Sequence, residues 1–462
     1  MTMPRKALVV DTYHGVKVAD PYRYMEDPAH PETQEWSEAQ TRLTRQYLES
    51  IPARAHIRQR LLQLWDYPKT RVPEKVAGSY FFQRNSGLEH QAKVYVQREL
   101  DTVPEVILDP NTFSTDGTIA LATKSFSHDG RLMAYTRSES GSDWQEIRVL
   151  DIEGRRELED VVKWCKFTTI PWMPDGSGFF YTRFPEPGSV PPEDAVNFSK
   201  VFFHKIGTDQ AEDQLIFQRP DHKEMGFAPQ ITEDGRYLVL TVFIGTEPEN
   251  RLYYRHVTDD GPFIRLLDEN DAMYRLVGNT DNLFYIYTTY QAPSGQVIAI
   301  DLDNPGRDHW RQLIPETDAV IENVTIVNNH FVITYLRDGH NTIELFQLDG
   351  TSAGTIELPG LGTITEVSGK PEHQEMFLGF TSYLRPTTIY RYDFTTSQLT
   401  VFAEPSIDFA TDNYETKQVF YESKDGTRIP MFITSRKDIQ LNGSNPTLLY
   451  GYGGFGISMK PS

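Results

Sequence analysis

Cysteine is nearly absent: Cys165 is the only one in 462 residues, which excludes an internal disulfide and any multi-cysteine metal site. Long hydrophobic runs are absent too. No stretch approaches the roughly 18 consecutive apolar residues of a membrane helix, so no membrane association is expected. Positive charge is in deficit, with 45 Lys and Arg against 65 Asp and Glu and a formal net charge of -20. Without a local excess of basic residues to neutralise phosphates, nucleic acid is not an expected partner. The start, Met1 to Val10, has a short apolar patch followed by Asp11 and lacks the length and cleavage pattern of a signal peptide, so a cytoplasmic location is expected. His14, His128, His204, His222, His309 and His330 are scattered rather than clustered, so neither a metal site nor a cofactor is expected. What is present is ample core material: 39% of residues are hydrophobic and 12% aromatic, which excludes a wholly disordered chain. At roughly 100–200 residues per domain the length suggests two to four domains.

The first 70 residues read as helical. Trp36, Ala39, Leu43 and Tyr47 recur at the three- and four-residue intervals of an amphipathic helix. Pro52 suits the first turn of a second helix, where its missing N–H costs nothing. Ile57, Leu61, Leu62 and Trp65 supply that helix's apolar face, and Tyr67-Pro68 ends it.

From about residue 70 the period is that of strands. Tyr80-Phe81-Phe82, Val94-Tyr95-Val96, Leu132 to Tyr135, Phe179-Phe180-Tyr181 and Tyr237 to Leu240 are short aromatic and β-branched runs between turns. Several follow one kind of turn: Asp129-Gly130, Asp175-Gly176 and Asp234-Gly235 each precede such a run. Weaker copies sit at Asp281, Asn328 and His373, and an earlier one at Gly78. Seven units spaced 45 to 59 residues apart result, the longest spacing coinciding with the proline-rich stretch 185–192. A repeat of that length is the signature of a β-propeller with one blade per unit. A pair of β-sandwiches with evenly spaced turns is the plainer alternative, but it gives no reason for seven similar units. A seven-bladed propeller over residues 71–407 is therefore expected.

After the last unit, residues 413–422 and 428–434 flank the Lys424-Asp425-Gly426-Thr427 turn of a hairpin. Pro446 to Tyr450 then reads as a strand running into Gly451-Tyr452-Gly453-Gly454-Phe455-Gly456. A strand that delivers a glycine-rich loop is how α/β folds place backbone around a reaction centre. Residues 408–462 are too few for a whole α/β domain, so only its beginning is expected here.

On these motifs the sequence resembles the prolyl oligopeptidase family of serine peptidases. The similarity is carried by Tyr13-His14-Gly15 with Val18 to Asp27, by Asn85-Ser86-Gly87-Leu88 and Tyr95-Val96-Gln97, by Ser423 to Ile433, and by Asn445 to Phe455. The resemblance implies a seven-bladed β-propeller inserted in an α/β-hydrolase domain built from both chain ends. Of that domain only the N-terminal helices (residues 1–70) and the first strands (408–462) are present. It implies a serine endopeptidase cleaving short peptides on the carboxyl side of proline, monomeric, with the propeller restricting access to the cavity.

The residue roles follow position by position. Tyr452 matches the tyrosine whose hydroxyl contributes to the oxyanion hole, and Phe455 matches a phenylalanine lining the proline pocket. Phe180 is a further candidate for the wall of the substrate cavity, with packing inside a blade as the alternative. Gly456 stands where the proline-cleaving members typically have Asn, a departure that loosens the loop. The catalytic serine, aspartate and histidine are expected beyond residue 462; Ser458 follows Gly456 but has Lys460 where a nucleophile elbow needs glycine. The alternative is a catalytically inactive short protein using the propeller as a binding module. Specificity for basic or acylated residues is a third reading, disfavoured by the Tyr450 to Phe455 motif.

Overall fold

A computed structural model describes residues 3–462, which divide into two compact units at Asp66 and Tyr67. In the first unit, Val10–Tyr13 and Val16–Ala19 form a hairpin. Its two-residue turn places both His14 and Gly15 at positive φ (51° and 82°), the conformation whose twist matches paired strands. Helix α1 (Pro31–Glu49) begins with Pro at its first position, and the His30 ring accepts a hydrogen bond from the Glu32 amide. Helix α2 (Arg54–Trp65) follows, ending just before Tyr67-Pro68. Both helices lie where the apolar spacing put them, yet neither contains a buried residue: Leu43, Tyr47, Ile57, Leu61 and Trp65 are all exposed.

The second unit is a circle of antiparallel sheets, a β-propeller. Strand order follows chain order in every one of these sheets but that of residues 69–108, where Lys69–Thr70 and Glu74–Val76 both pair with Ser79–Asn85. The aspartate–glycine turns form as expected, with Gly130, Gly176 and Gly235 at φ 67°, 70° and 73°. In each the aspartate carboxylate accepts the amide two residues on, so the turn is held by its own side chain. Buried apolar residues lie between consecutive sheets. Tyr237, Leu252, Phe284 and Ile300 join the sheets 225–267 and 274–314. Tyr285, Ile314, Phe331 and Tyr335 join 274–314 to 320–356, and Val332, Leu345, Leu378 and Tyr390 join 320–356 to 363–403.

The expectation of a seven-bladed propeller set in an α/β-hydrolase domain is corrected on both counts. Only five sheets are self-contained blades: four of four strands and one of five, the last spanning residues 69–108. The repeats at 129 and 175 share a single seven-stranded sheet over residues 119–218. The cause is local. Pro171 and Pro174 remove two backbone donors from segment 170–174, which forms only an isolated bridge, Trp172 to Phe179. The strand Gly178–Arg183 pairs instead with the end of the ten-residue strand Arg156–Cys165, through Cys165 and Arg183. No α/β-hydrolase domain forms among the described residues. They hold two α-helices, both in the first unit, and no parallel strand pair. The hairpin Tyr414–Glu422 with Arg428–Arg436 is a separate two-stranded sheet, and Pro446 to Tyr450 is not a strand.

The circle closes where the sheet 363–403 meets the sheet 69–108. Glu375 is buried there: Lys75 Nζ approaches one of its oxygens at 2.6 Å and Tyr80 donates its hydroxyl to the same oxygen at 2.7 Å, while Arg391 Nε donates to the other. Tyr80 and Phe377 pack edge to face beside it. Burial alone would raise the Glu375 pKa, but these three donors outweigh it and hold it at about 2. Its contribution to stability is therefore present above the ordinary glutamate range, near 4.5, and is lost as pH falls towards 2. Removing one member of a buried ion pair leaves its partners' charge uncompensated, so Glu375→Ala is expected to lower stability by about 3 kcal/mol. Urea unfolding checks this, and between pH 4.5 and 2 the variant should lose less stability than the parent.

Candidate functional site

The glycine-rich loop carries residue types that match a reaction-centre element, and its geometry is open. Gly453 and Gly456 adopt φ 72° and 64°, and Phe455 adopts φ 52°. A left-handed conformation costs a non-glycine residue about 1–2 kcal/mol, so the loop around Phe455 stores a little strain. A β-carbon on Gly454 would meet the Tyr452 ring at 3.4 Å, an ordinary contact, so the phenol lies beside this glycine. The Tyr452 hydroxyl has no hydrogen-bond partner among the described residues, and the residue is half exposed. Phe455 is 94% exposed, an apolar ring offered to solvent three residues from that free donor.

The segment after the loop is anchored. Lys460 Nζ lies 2.9 and 2.8 Å from the two carboxylate oxygens of Glu322 on strand Val320–Val327. Asn341 donates to the same carboxylate at 2.7 Å. The Thr363 hydroxyl donates to the Pro461 carbonyl at 2.7 Å, and Pro461 is buried. Phe432 of the hairpin packs near Tyr383, and a β-carbon on Gly339 would meet that Phe432 ring at 3.1 Å. The Tyr452 loop is thus tethered at its C-terminal side to the sheets 320–356 and 363–403.

Phe180 is elsewhere. It is 3% exposed on strand Gly178–Arg183 and packs on Phe203, with ring centroids 5.1 Å apart. No hydrogen bond or ring contact joins it to Tyr452 or Phe455 among the described residues. Tyr452 and Phe455 are therefore brought together by adjacency in the chain, and Phe180 sits inside a sheet.

One motif escaped the sequence reading. Gly350-Thr351-Ser352-Ala353-Gly354 satisfies the G-x-S-x-G spacing of a nucleophile elbow. Its setting is wrong for one: Ser352 opens the outer strand Ser352–Ile356, paired with Phe346, with no helix following and no histidine hydrogen-bonded to it among the described residues. It is a blade edge. Among the described residues no group of three or more metal-ligating side chains forms.

A second ionisable cluster centres on His204, buried between two carboxylates. Its Nδ1 lies 2.7 Å from Asp213 and its Nε2 3.1 Å from Asp160. Tyr181 donates to Asp213, and the Gly207 amide donates to Asp160 at 2.6 Å. Burial alone would lower the histidine pKa, but the two carboxylates outweigh it and raise it from 6.5 to about 9. Both ring nitrogens face acceptors, so imidazolium is the form that satisfies them. These residues come from the strands Arg156–Cys165, Gly178–Arg183 and Lys200–Lys205 and the turn after Glu212. The cluster therefore ties together the two repeats that share a sheet. It is structural, with no accessible surface for a substrate. Cys165 is likewise buried, its thiol pKa pushed up by desolvation, and is not a reactive nucleophile.

Residues 1–405 match the family described as "Prolyl oligopeptidase, N-terminal beta-propeller domain". The prolyl endopeptidase of Elizabethkingia meningoseptica is 35% identical over 460 residues, covering 99% of this chain and 64% of its own length. Prolyl oligopeptidase A of Galerina marginata is 33% identical over 499 residues, covering 99% and 67%. Among solved structures, one of two prolyl endopeptidases studied for inter-domain dynamics superposes with a TM-score of 0.92 at 31% identity, covering all of this chain and 68% of that one. Prolyl oligopeptidase B of Galerina marginata, bound to a 35-residue substrate, gives 0.89 at 31% identity, covering all of this chain and 69% of that one. The chain thus spans a little under two thirds of the Elizabethkingia relative's length.

A histidine whose folded pKa is raised stabilises the fold fully below its unfolded value and loses that contribution as pH rises through the folded one. The melting temperature is accordingly expected to fall between pH 6.5 and about 9. In His204→Gln the same scan should be flatter over that window, starting from a lower melting temperature.

Proposed function

This chain belongs to the prolyl oligopeptidase family, and from that premise we propose that it is the N-terminal portion of a serine endopeptidase that cuts short peptides after proline. The observation that carries the proposal is the Tyr452 to Phe455 loop, which follows the propeller and pairs an unengaged phenol with an exposed apolar ring. In acyl transfer the attacked carbonyl oxygen gains negative charge, and a donor aimed at that oxygen supplies much of the acceleration. Tyr452 is that donor: its phenol is neutral, and the glycines around it let a substrate backbone approach. Phe455 receives the proline ring, which is flat and apolar and offers no N–H, so an aromatic wall suits it and charge does not.

The nucleophile, its histidine and the acid lie outside this chain in this reading; the histidine moves the serine proton and water releases the acyl-enzyme. The substrates are short proline-containing peptides in this proposal, and the role it gives the circle of sheets is to keep folded chains from the catalytic centre. The enzyme is a cytoplasmic monomer in this proposal. No helix among the described residues is long and apolar enough to cross a membrane.

The test uses a polypeptide carrying this chain together with a complete hydrolase domain, assayed on a blocked Gly-Pro chromogenic amide and its Gly-Ala counterpart. The proline substrate should be cleaved and the alanine one spared. Tyr452→Phe should lower kcat by about 10²- to 10³-fold with little change in KM, the usual cost of one oxyanion donor. Phe455→Ala should raise KM for the proline substrate. The 462-residue chain alone should show no turnover; serine-dependent hydrolysis by that chain would overturn the reading.

A further inference from the structure

Among the described residues with charged or imidazole side chains, four are buried: Asp160, His204, Arg255 and Glu375. Three are matched by opposite charge. Asp160 pairs with His204, and Glu375 holds Lys75 and Arg391. Arg255, 9% exposed on strand Arg251–His256, has no carboxylate within salt-bridge distance among the described residues. Its Nη1 donates to the Gly261 carbonyl at 3.2 Å, its Nε is buried without a partner, and its guanidinium lies 4.8 Å from the centre of the Phe263 ring. A buried charge is tolerated when it is paired and hydrogen-bonded, and is strongly penalised when it is not. Among the described residues with less than about a tenth of their surface exposed, no other charged side chain follows the second pattern.

Arg255 borders a cleft of about 520 Å³ between the strand Gln214–Gln218, the outer edge of the 119–218 sheet, and the strands and 260–263 loop of the neighbouring sheet 225–267. Arg219, Arg265, Phe217, Phe263 and Asp260 line it as well. The other two guanidinium groups are engaged: Arg219 holds Asp221 and Arg265 holds Asp268. Asp260 carries the cleft's remaining negative charge, and with Asp259 it acts on Arg255 only from a distance. Arg255 is therefore the cation whose charge is not taken up. Phe217 and Phe263 meet edge to face with centroids 5.1 Å apart, giving the cleft an apolar side. Its volume lies within the range of small-molecule sites.

We propose that this cleft is an anion site, in which Arg255 takes the carboxylate or phosphate group of a small ligand whose body rests on Phe217 and Phe263. The inference is independent of the peptidase reading, since none of these residues belongs to the Tyr452 loop. A guanidinium presents paired donors matched to both oxyanions, so the two chemistries are separated by experiment.

The full 462-residue chain is titrated by calorimetry and thermal unfolding with inorganic phosphate and, separately, with 3-phenylpropionate, at fixed ionic strength with sodium chloride as the control. A saturable heat and a rise in melting temperature beyond chloride are expected with at least one probe. Response to phosphate alone identifies a phosphate site, and response to phenylpropionate, alone or as the tighter ligand, a carboxylate on an apolar body. Arg255→Gln should weaken binding at least about tenfold, as loss of a charge-assisted hydrogen bond implies. Should that variant not fold, Arg265→Gln, a half-exposed side chain at the rim, should still weaken it several-fold. The proposal is overturned if neither probe acts beyond chloride, or if binding is unchanged in every one of these variants that folds.

Discussion

Glu375 stands where the first and last sheets of the circle meet, and the closure of the whole second unit depends on the charge it carries. Lys75, with which it pairs, lies 300 residues away in the chain, so this contact joins the two ends of the circle. The sheets 69–108 and 363–403 share no strand pair; side chains alone join them, an ionic cluster on one side and Phe377, Tyr80, Phe82 and Phe402 on the other. A carboxylate with three donors is well satisfied, and the surrounding rings keep water from competing for it.

The same logic orders the rest of the interior. His204 joins the two halves of the shared sheet by charge where Pro171 and Pro174 have removed backbone donors, so the ionic cluster reinforces a junction that hydrogen bonding serves through a single residue pair. The circle in turn holds the segment after the glycine-rich loop. Glu322 and Thr363 lie on neighbouring sheets, and both grip residues 460–461. A rigid scaffold of this kind can present Tyr452 from a loop while the loop itself remains open.

Much of this was legible in the sequence because it is local. The aspartate–glycine turns specify their own φ, the aromatic runs after them specify strands, and the spacing of Trp36, Ala39, Leu43 and Tyr47 specifies α1. What was not legible depends on residues far apart. The shared sheet arises because two prolines turn a strand into a bridge, which a repeat length of about 46 residues at that point did not disclose. Asp160, His204 and Asp213 lie 44 and 9 residues apart with no motif to connect them, and Arg255 has nothing in its sequence neighbourhood to mark it as buried. For the loop, residue type and order were readable, while the exposure of Phe455 and the anchoring through Lys460 were not. Ser352 shows the reverse case: the pattern is present and the geometry that gives it meaning is missing.

The exposed faces of α1 and α2 bear on how molecules of this protein behave towards one another. Leu43, Tyr47, Ile57, Leu61 and Trp65 offer apolar surface to solvent, and so do Leu448, Leu449 and Phe455 near the other end. Surfaces of this kind attract their like, and a net charge of -20 opposes the attraction through mutual repulsion. The range of that repulsion shrinks from about 30 Å at 0.01 M salt to about 3 Å at 1 M. In the 462-residue chain the attraction between these apolar surfaces is thus opposed by a repulsion whose reach the electrolyte sets.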